Sequence, residues 1–168
     1  SSPFDSTSES EMEKKTADSL IEKTRETLTA ALGTAHFDLF NVTTKSSYCE
    51  KLDVGKYELL VGEIGDVKGT KTRVAASFEL HPMINCCGIC VSTKAFVAEG
   101  FRRKGLGTLL NNLRIEIARL NGYGLLLCTD VESNEAQRKV LAKNGWKDVH
   151  DFVNPWTQNK VFISVVNL

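Results

Sequence analysis

The chain has no net charge: 21 Lys and Arg balance 21 Asp and Glu across 168 residues. No global field therefore draws it toward nucleic acid or an anionic membrane surface, and any charge-driven contact must be local. It has no apolar run near the roughly 18 residues that a membrane-spanning helix needs. It also lacks a paired-cysteine framework. The five cysteines are odd in number, and the cluster Cys86-Cys87-Gly88-Ile89-Cys90, with His81 upstream, has no second pair at a zinc-finger spacing. A metal site is disfavoured on that ground. The expectation is buried thiols in a reduced, soluble, cytoplasmic protein with no metal. The start, Ser1-Ser2-Pro3-Phe4, has neither an initiator Met nor a basic-then-apolar leader; it reads as a processed or altered start and carries no functional information. There is no internal repeat.

What is present is enough apolar content, 42%, for one domain with one core. Residues 1–10 are Ser-rich and polar, and are expected to be a flexible segment ahead of a single domain over 11–168. From Glu11 to Leu32 the apolar residues Ala17, Leu20, Ile21, Leu28, Ala31 and Leu32 fall mostly at helical spacing, with Gly33 as a stop. Short β-rich runs follow at His36 to Val42, Tyr57 to Ile64, Arg73 to Leu80 and Ile89 to Val97. The polar stretch from Thr43 to Lys56 has room for a helical turn around Ser47 to Leu52, which its periodicity does not decide. From Gly105 on, Leu106, Leu109, Leu110, Leu113, Ile117 and Leu120 recur at intervals of three and four, an amphipathic helix ending at Asn121-Gly122. The continuous apolar run Leu125 to Thr129 reads as a strand covered on both faces, and Asn134 opens a shorter helix reaching Asn144-Gly145. That order implies a right-handed crossover joining parallel strands at the sheet's centre. Lys147 to Phe152 and Val161 to Val166 close the sheet.

The chemistry gathers where the strand ending at Phe96-Val97 turns through Ala98-Glu99-Gly100-Phe101 into the helix near Gly105. A helix N-terminus offers unpaired N–H groups and a partial positive charge, which suit a phosphate. Gly105 and Gly107 remove side chains where backbone must approach a ligand, and Arg102, Arg103 and Lys104 add cationic charge. The segment is neither a Walker loop nor a clean dinucleotide fingerprint, so nucleotide hydrolysis and dinucleotide redox both recede. On these residues alone, a diphosphate cradle and a basic turn capping an ordinary helix both remain open.

Two segments together resemble the GNAT N-acetyltransferase superfamily. The first is Phe96-Val-Ala-Glu-Gly-Phe-Arg-Arg-Lys-Gly-Leu-Gly-Thr-Leu-Leu110, in which Arg102, Gly105 and Gly107 match the family's Arg/Gln-x-x-Gly-x-Gly/Ala motif. The second is Asn134-Glu-Ala-Gln-Arg-Lys-Val-Leu-Ala-Lys-Asn-Gly-Trp146, similar to the family's Asn-rich start, helix and Gly-aromatic ending. The resemblance spans Ile89 to Trp146 and implies an α/β (α+β) fold: one mixed central sheet splayed between two parallel strands and flanked by helices, with the N-terminal helix as an extra element. It implies acetyl-CoA as co-substrate and direct transfer of the acetyl group to a primary amine of a small molecule or a peptide. The backbone of Phe96 and Val97 would hold the pantetheine arm. The amides of Arg103, Lys104, Gly105, Leu106, Gly107 and Thr108 would take the diphosphate, and Asn134 would touch the arm from the other side.

The pattern breaks at the proton donor. Many members of the family carry a Tyr where this chain has Leu141, and leucine donates no proton. Tyr123 and Cys128 are near only in sequence. Glu79 and Glu63 are the general-base candidates, because apolar neighbours would raise a buried carboxyl toward working pH; the alternative is that both face outward from their strands. Glu99 reads as structural, and His36, His81 and His150 are scattered. The rival readings are a CoA-binding or sensing module with weak transfer, and a nucleic-acid patch of Arg102, Arg103, Lys104, Arg114 and Arg119. Zero net charge and the lack of stacking aromatics beside those cations weigh against the patch. The turn at Asn154-Pro155 brings Trp156 either to an acceptor pocket or against the sheet. The N-terminal helix is the candidate contact for a homodimer.

Overall fold

The computed structural model describes residues 3–33, 36–45, 52–62 and 73–168. Of the sequence-based expectations, Glu63 and the turn around 47–51 lie outside the described residues.

Helix α1 runs over Pro3–Leu32, beginning ahead of the apolar periodicity that starts near Glu11. Proline suits a first helical position, because its fixed φ is already helical and its missing N–H has no intrahelical acceptor to lose. Ala17, Leu20, Ile21 and Leu28 bury a stripe of α1. Thr24 lies buried on the same stripe, and its hydroxyl donates to the Leu20 carbonyl at 2.8 Å, which removes the cost of burying it. This stripe packs on the later helix over Leu106–Leu120.

Strands β1 (His36–Asn41), β2 (Lys56–Gly62), β3 (Arg73–Pro82) and β4 (Ile89–Val97) form an antiparallel meander. A 3₁₀ turn at Glu99–Phe101 leads to α2 (Leu106–Leu120), then β5 (Leu125–Val131), α3 (Glu135–Lys143), β6 (Lys147–Val153) and β7 (Lys160–Asn167). The sheet has seven strands in the order β1-β2-β3-β4-β5-β7-β6 and is antiparallel except between β4 and β5. That exception follows from the crossover: a strand, a helix and a strand entering the same sheet side by side must run the same way. This is the mixed sheet expected from the sequence. The α2 stripe Leu106, Leu109, Leu110, Leu113 and Ile117 is buried with Ala76, Phe78, Leu80, Cys90 and Leu126 of the sheet. Each fully buried Leu side chain contributes roughly 1.5–3 kcal/mol over leaving it in water. Tyr57 stacks on Phe78 with ring centroids 5.3 Å apart.

The parallel pairing is short. Ile89, Cys90 and Val91 pair with Leu125, Leu126 and Leu127, after which β4 runs on to Val97 and β5 to Val131 without each other. A bulge explains the parting. Ser77 pairs with Phe96 and Glu79 with Thr93, so β4 has one residue more than β3 across this step, and Lys94 takes the left-handed φ of 52°. An extra residue bends the bulged strand. Here the bend coincides with the place where β4 leaves β5, and the gap holds the candidate site.

The cysteine expectation needs correcting. Cys90 and Cys128 are buried, but Cys86 is half-buried and Cys87 exposed, because both sit in the β3–β4 turn rather than in a strand. Among the described residues no cluster of His, Cys, Asp or Glu is arranged to hold a metal, and no helix is long and apolar enough to cross a membrane.

Candidate active site

At the start of α2, Gly105 is the N-cap residue with φ of 79°, a left-handed conformation that favours glycine. Glycine brings no capping side chain, and the N-cap makes no side-chain hydrogen bond to the helix. Among the described residues, the first α2 amide with an acceptor is Leu109, which donates to the Gly105 carbonyl at 3.2 Å. The amides of Leu106, Gly107 and Thr108 are thus left to whatever occupies the cleft. Gly107 has an ordinary helical φ, and a Cβ there would meet only Val140 Cγ2 at 3.5 Å. Neither conformation nor packing among the described residues requires glycine at 107, and its bareness leaves room for a close approach from outside. These features fit a phosphate.

A cleft of about 590 Å³ opens along this end of α2 and the departing part of β4. Phe96, Val97, Arg102, Arg103, Gly105, Leu106, Gly107, Thr108 and Asn134 all line it, while Lys104 is exposed and does not. Arg102 also has a local task. Its Nε donates to the Val97 carbonyl at 3.0 Å and its guanidinium lies 5.9 Å from the Phe96 ring centre, tying the loop back onto the end of β4. Arg103 carries φ of 62°, an uncommon conformation for a residue with a Cβ. Asn134 caps α3, its Oδ1 accepting from the Gln137 amide at 3.2 Å.

A second cleft, about 480 Å³, lies across the gap between β4 and β5. Its walls are Ser92 to Ala95 on β4, Cys128 to Val131 on β5, Phe152 of β6, Asn154 just beyond it and Val161 of β7. The two clefts share Ala95, Arg114, Asn134 and Gln137, so they meet at those four residues.

Two arginines of opposite character bear on this region: Arg114 lines both clefts, and Arg138 lines neither but holds Asp130 of the second. Arg138 of α3 donates from Nη1 to Asp130 Oδ2 at 2.8 Å and from Nη2 to Asp148 Oδ2 at 2.7 Å, with its guanidinium 3.5 Å from the Phe162 ring centre. Ser164 Oγ lies 2.7 Å from Asp148 Oδ1 and 3.2 Å from Asp130 Oδ1, so its proton goes to one of the two carboxylates. Hydrogen bonds from Arg138 and then Ser164 hold the Asp148 carboxyl below its ordinary range, and the same bond to Asp148, followed by that to Asp130, raises Arg138. Asp130 is the buried member, its side chain only 2% exposed. Arg114 of α2 has no carboxylate partner among the described residues. It is 2% exposed; Nη1 donates to Ser92 Oγ at 3.1 Å, Nε has no acceptor, and its guanidinium lies 5.6 Å from the Trp146 ring centre. Burial pushes the guanidinium down from its ordinary value. Cys128, beside it, is pushed up to about 12 by burial, despite the pull of Arg114 in the other direction.

Several sequence expectations change here. Arg114 is no part of a surface cation patch, since it is buried under the sheet. Glu79 lines neither cleft; it lies 3.2 Å from His81 Nε2 and 3.6 Å from Lys94 Nζ. Leu141 is buried in the core and also lines neither cleft. Trp156 is 93% exposed, so it neither lines a pocket nor packs its turn, whereas Phe152 and Asn154 nearby do line the second cleft. Arg114, Asp130 and Gln137 were missed. Arg114 alone left a signal: it sits one turn after Leu110 and one before Ala118, on the stripe of α2 that faces the core.

No family model matches the chain, and no curated protein matches it in sequence. Its fold does match solved structures. An acetyltransferase of the GNAT family from Streptococcus pneumoniae superposes with a TM-score of 0.53 at 17% identity, over 68% of this chain and 67% of that one. The structure of yncA from Salmonella typhimurium, with its cofactor acetyl-CoA, gives 0.54 at 16% identity, over 67% and 65%. The NatC complex bound to Gag peptide and CoA gives 0.56 at 13% identity, over 67% and 70%. At these identities the likeness is one of fold: the chain has the GNAT acetyltransferase architecture.

Proposed function

We propose that the chain is an acetyl-CoA-dependent N-acetyltransferase that moves the acetyl group directly to a primary amine of a small molecule or protein. The observation that carries this reading is the row of unpaired amides at Leu106, Gly107 and Thr108, in a cleft that runs into the β4–β5 gap. Support comes from the fold neighbours, one solved with acetyl-CoA and one with CoA and a peptide. When bound, the co-substrate supplies an activated acetyl thioester. The residues of this chain then have separable tasks. The α2 amides with Arg103 hold the diphosphate, Phe96, Val97 and Asn134 flank the pantetheine arm, and the second cleft orients the amine. Acceptor selection falls to Phe152, Asn154 and Asp130. The free thiols Cys86, Cys87, Cys90 and Cys128 support a reducing, cytoplasmic setting.

A second reading, a CoA-binding module with weak transfer, is favoured by Leu141, which offers no proton to a leaving thiolate. The two separate in one sample. Calorimetric titration with acetyl-CoA, followed by thiol release against a panel of amines, gives binding with release for the transferase and binding without release for the module. Absence of binding would sink both.

A further inference from the structure

Arg114 is the least explained group in the molecule. A buried guanidinium is normally compensated by a carboxylate, because taking a charge out of water costs several kcal/mol. Arg138, paired with both Asp130 and Asp148, is compensated in that way. Arg114 has one neutral hydroxyl and one aromatic face, and the described residues of α1, β3 and α3, the other elements on α2, give it no ion pair or hydrogen bond. Cys128 is beside it, but burial pushes that thiol up to about 12, so it stays neutral and supplies no compensating charge. Asp130 shares the second cleft but is held by Arg138, and Lys94 on the same wall is a further cation. An uncompensated charge kept at a place where two clefts meet points to an anion that is present only part of the time.

The proposed transfer makes such an anion there. An amine in the second cleft reaches a thioester in the first only where the two spaces join, and Arg114 is one of the four residues common to both. The amine lone pair forms the new C–N bond, the C–S bond breaks with its electron pair remaining on sulfur, and the amine proton passes to water in the open second cleft. We propose that Arg114 is a catalytic residue whose charge stabilises the departing CoA thiolate, so that no protonating side chain is needed. Resting on the acetyl-CoA reading, this role makes Leu141 intelligible. Its advantage is selective: the resting thioester is neutral and gains little from the cation, whereas the breaking bond gains much.

The test needs no acceptor. CoA and desulfo-CoA, which lacks the thiol, are titrated into the protein by calorimetry across a pH series, with thiolate absorbance followed in the CoA samples. An opposite charge within about 4–6 Å lowers an acid's pKa by about 1–3 units. Bound CoA should therefore ionise below free CoA, and its affinity relative to desulfo-CoA should rise roughly ten-fold or more between those two ionisations. Arg114→Met should abolish that rise while keeping desulfo-CoA affinity and a urea midpoint no lower than the parent's; Arg114→Lys should keep part of the rise. Equal pH dependence for CoA and desulfo-CoA would overturn the role of Arg114 and leave the cofactor reading standing. Failure of both ligands to bind would overturn the cofactor reading itself, and the role of Arg114 with it.

Discussion

The two clefts that meet at the β4–β5 gap are built from different materials. The first is made of main chain: unpaired amides at the start of α2, two glycines and the departing end of β4. The second is made of side chains from α2, β4, β5 and the β6–β7 hairpin, and its buried carboxylate, Asp130, is bonded to Arg138 of α3. A cleft of the first kind is damaged by adding atoms, and one of the second kind by removing them. This also separates what each can be used for. A backbone cradle recognises phosphate whatever else the ligand carries, while a side-chain cleft can be changed residue by residue to choose an acceptor.

The largest expected effect comes from adding atoms to the first cleft. Gly107→Asp should lower CoA affinity about a hundred-fold or more, since it sets a carboxylate among amides whose charge-assisted bonds are worth about 1.5–3 kcal/mol each. The fold should survive, because the new Cβ meets only Val140 Cγ2, at an ordinary distance. Calorimetry of CoA binding with a parallel urea melt checks both halves. Unchanged affinity in a folded variant would remove the cradle.

Removing the side chain that holds a wall residue of the second cleft should act on stability first. Arg138→Met leaves Asp130 buried without its cation, and breaking such a pair costs about 3 kcal/mol, somewhat less here because Arg138 is itself a quarter exposed. Adding Asp130→Asn to that variant should recover part of the loss, read as urea midpoints at constant slope. The pH dependence has a definite sign. Because Arg138 and Ser164 hold Asp148 below its unfolded value, near about 3.9, its contribution is complete above that value and is lost as pH falls through the lower folded one. Asp148 is nearly half exposed, so solvent screens the effect, which should be modest and should flatten in Arg138→Met. An acid profile that stays the same in the variant would separate the network from the acid response.

The same contrast explains what was legible in the sequence. Main-chain sites follow from contiguous residues: Gly105, Gly107 and the stripe from Leu106 to Ile117 fix where α2 starts and which face it buries, so the first cleft could be located from one segment. The order of β4, α2 and β5 fixed the parallel pair. Side-chain sites depend on register and on which residues a bulge turns toward a gap. Asp130 meets Arg138 only because α3 folds back over β5, and Ser164 joins them from 34 positions away along the chain. Lys94 showed no sign in sequence of taking a left-handed φ, so the opening between β4 and β5 was not derivable from local pattern. Arg114 is the intermediate case, visible as a charge on an apolar stripe yet easily read as one more surface cation.

The smallest effect should come from Glu79, whose apolar neighbours in sequence suggested a general base. Alternation along β3 turns Phe78 and Leu80 to the core and Glu79 to the other face, opposite Thr93, and Lys94 connects it to the rim of the second cleft. A base must lie within hydrogen-bond reach of the proton it takes, directly or through one water, and contributes about 10²–10⁴-fold when it does. Glu79→Gln should therefore change thiol release in the presence of an accepted amine by no more than about two-fold, well under that range, with CoA affinity unaltered. A fall of about a hundred-fold would put Glu79 in the proton path. The second cleft would then have to reach past Lys94 to the β3 face of the sheet, and the side-chain cleft would be larger than its walls now indicate.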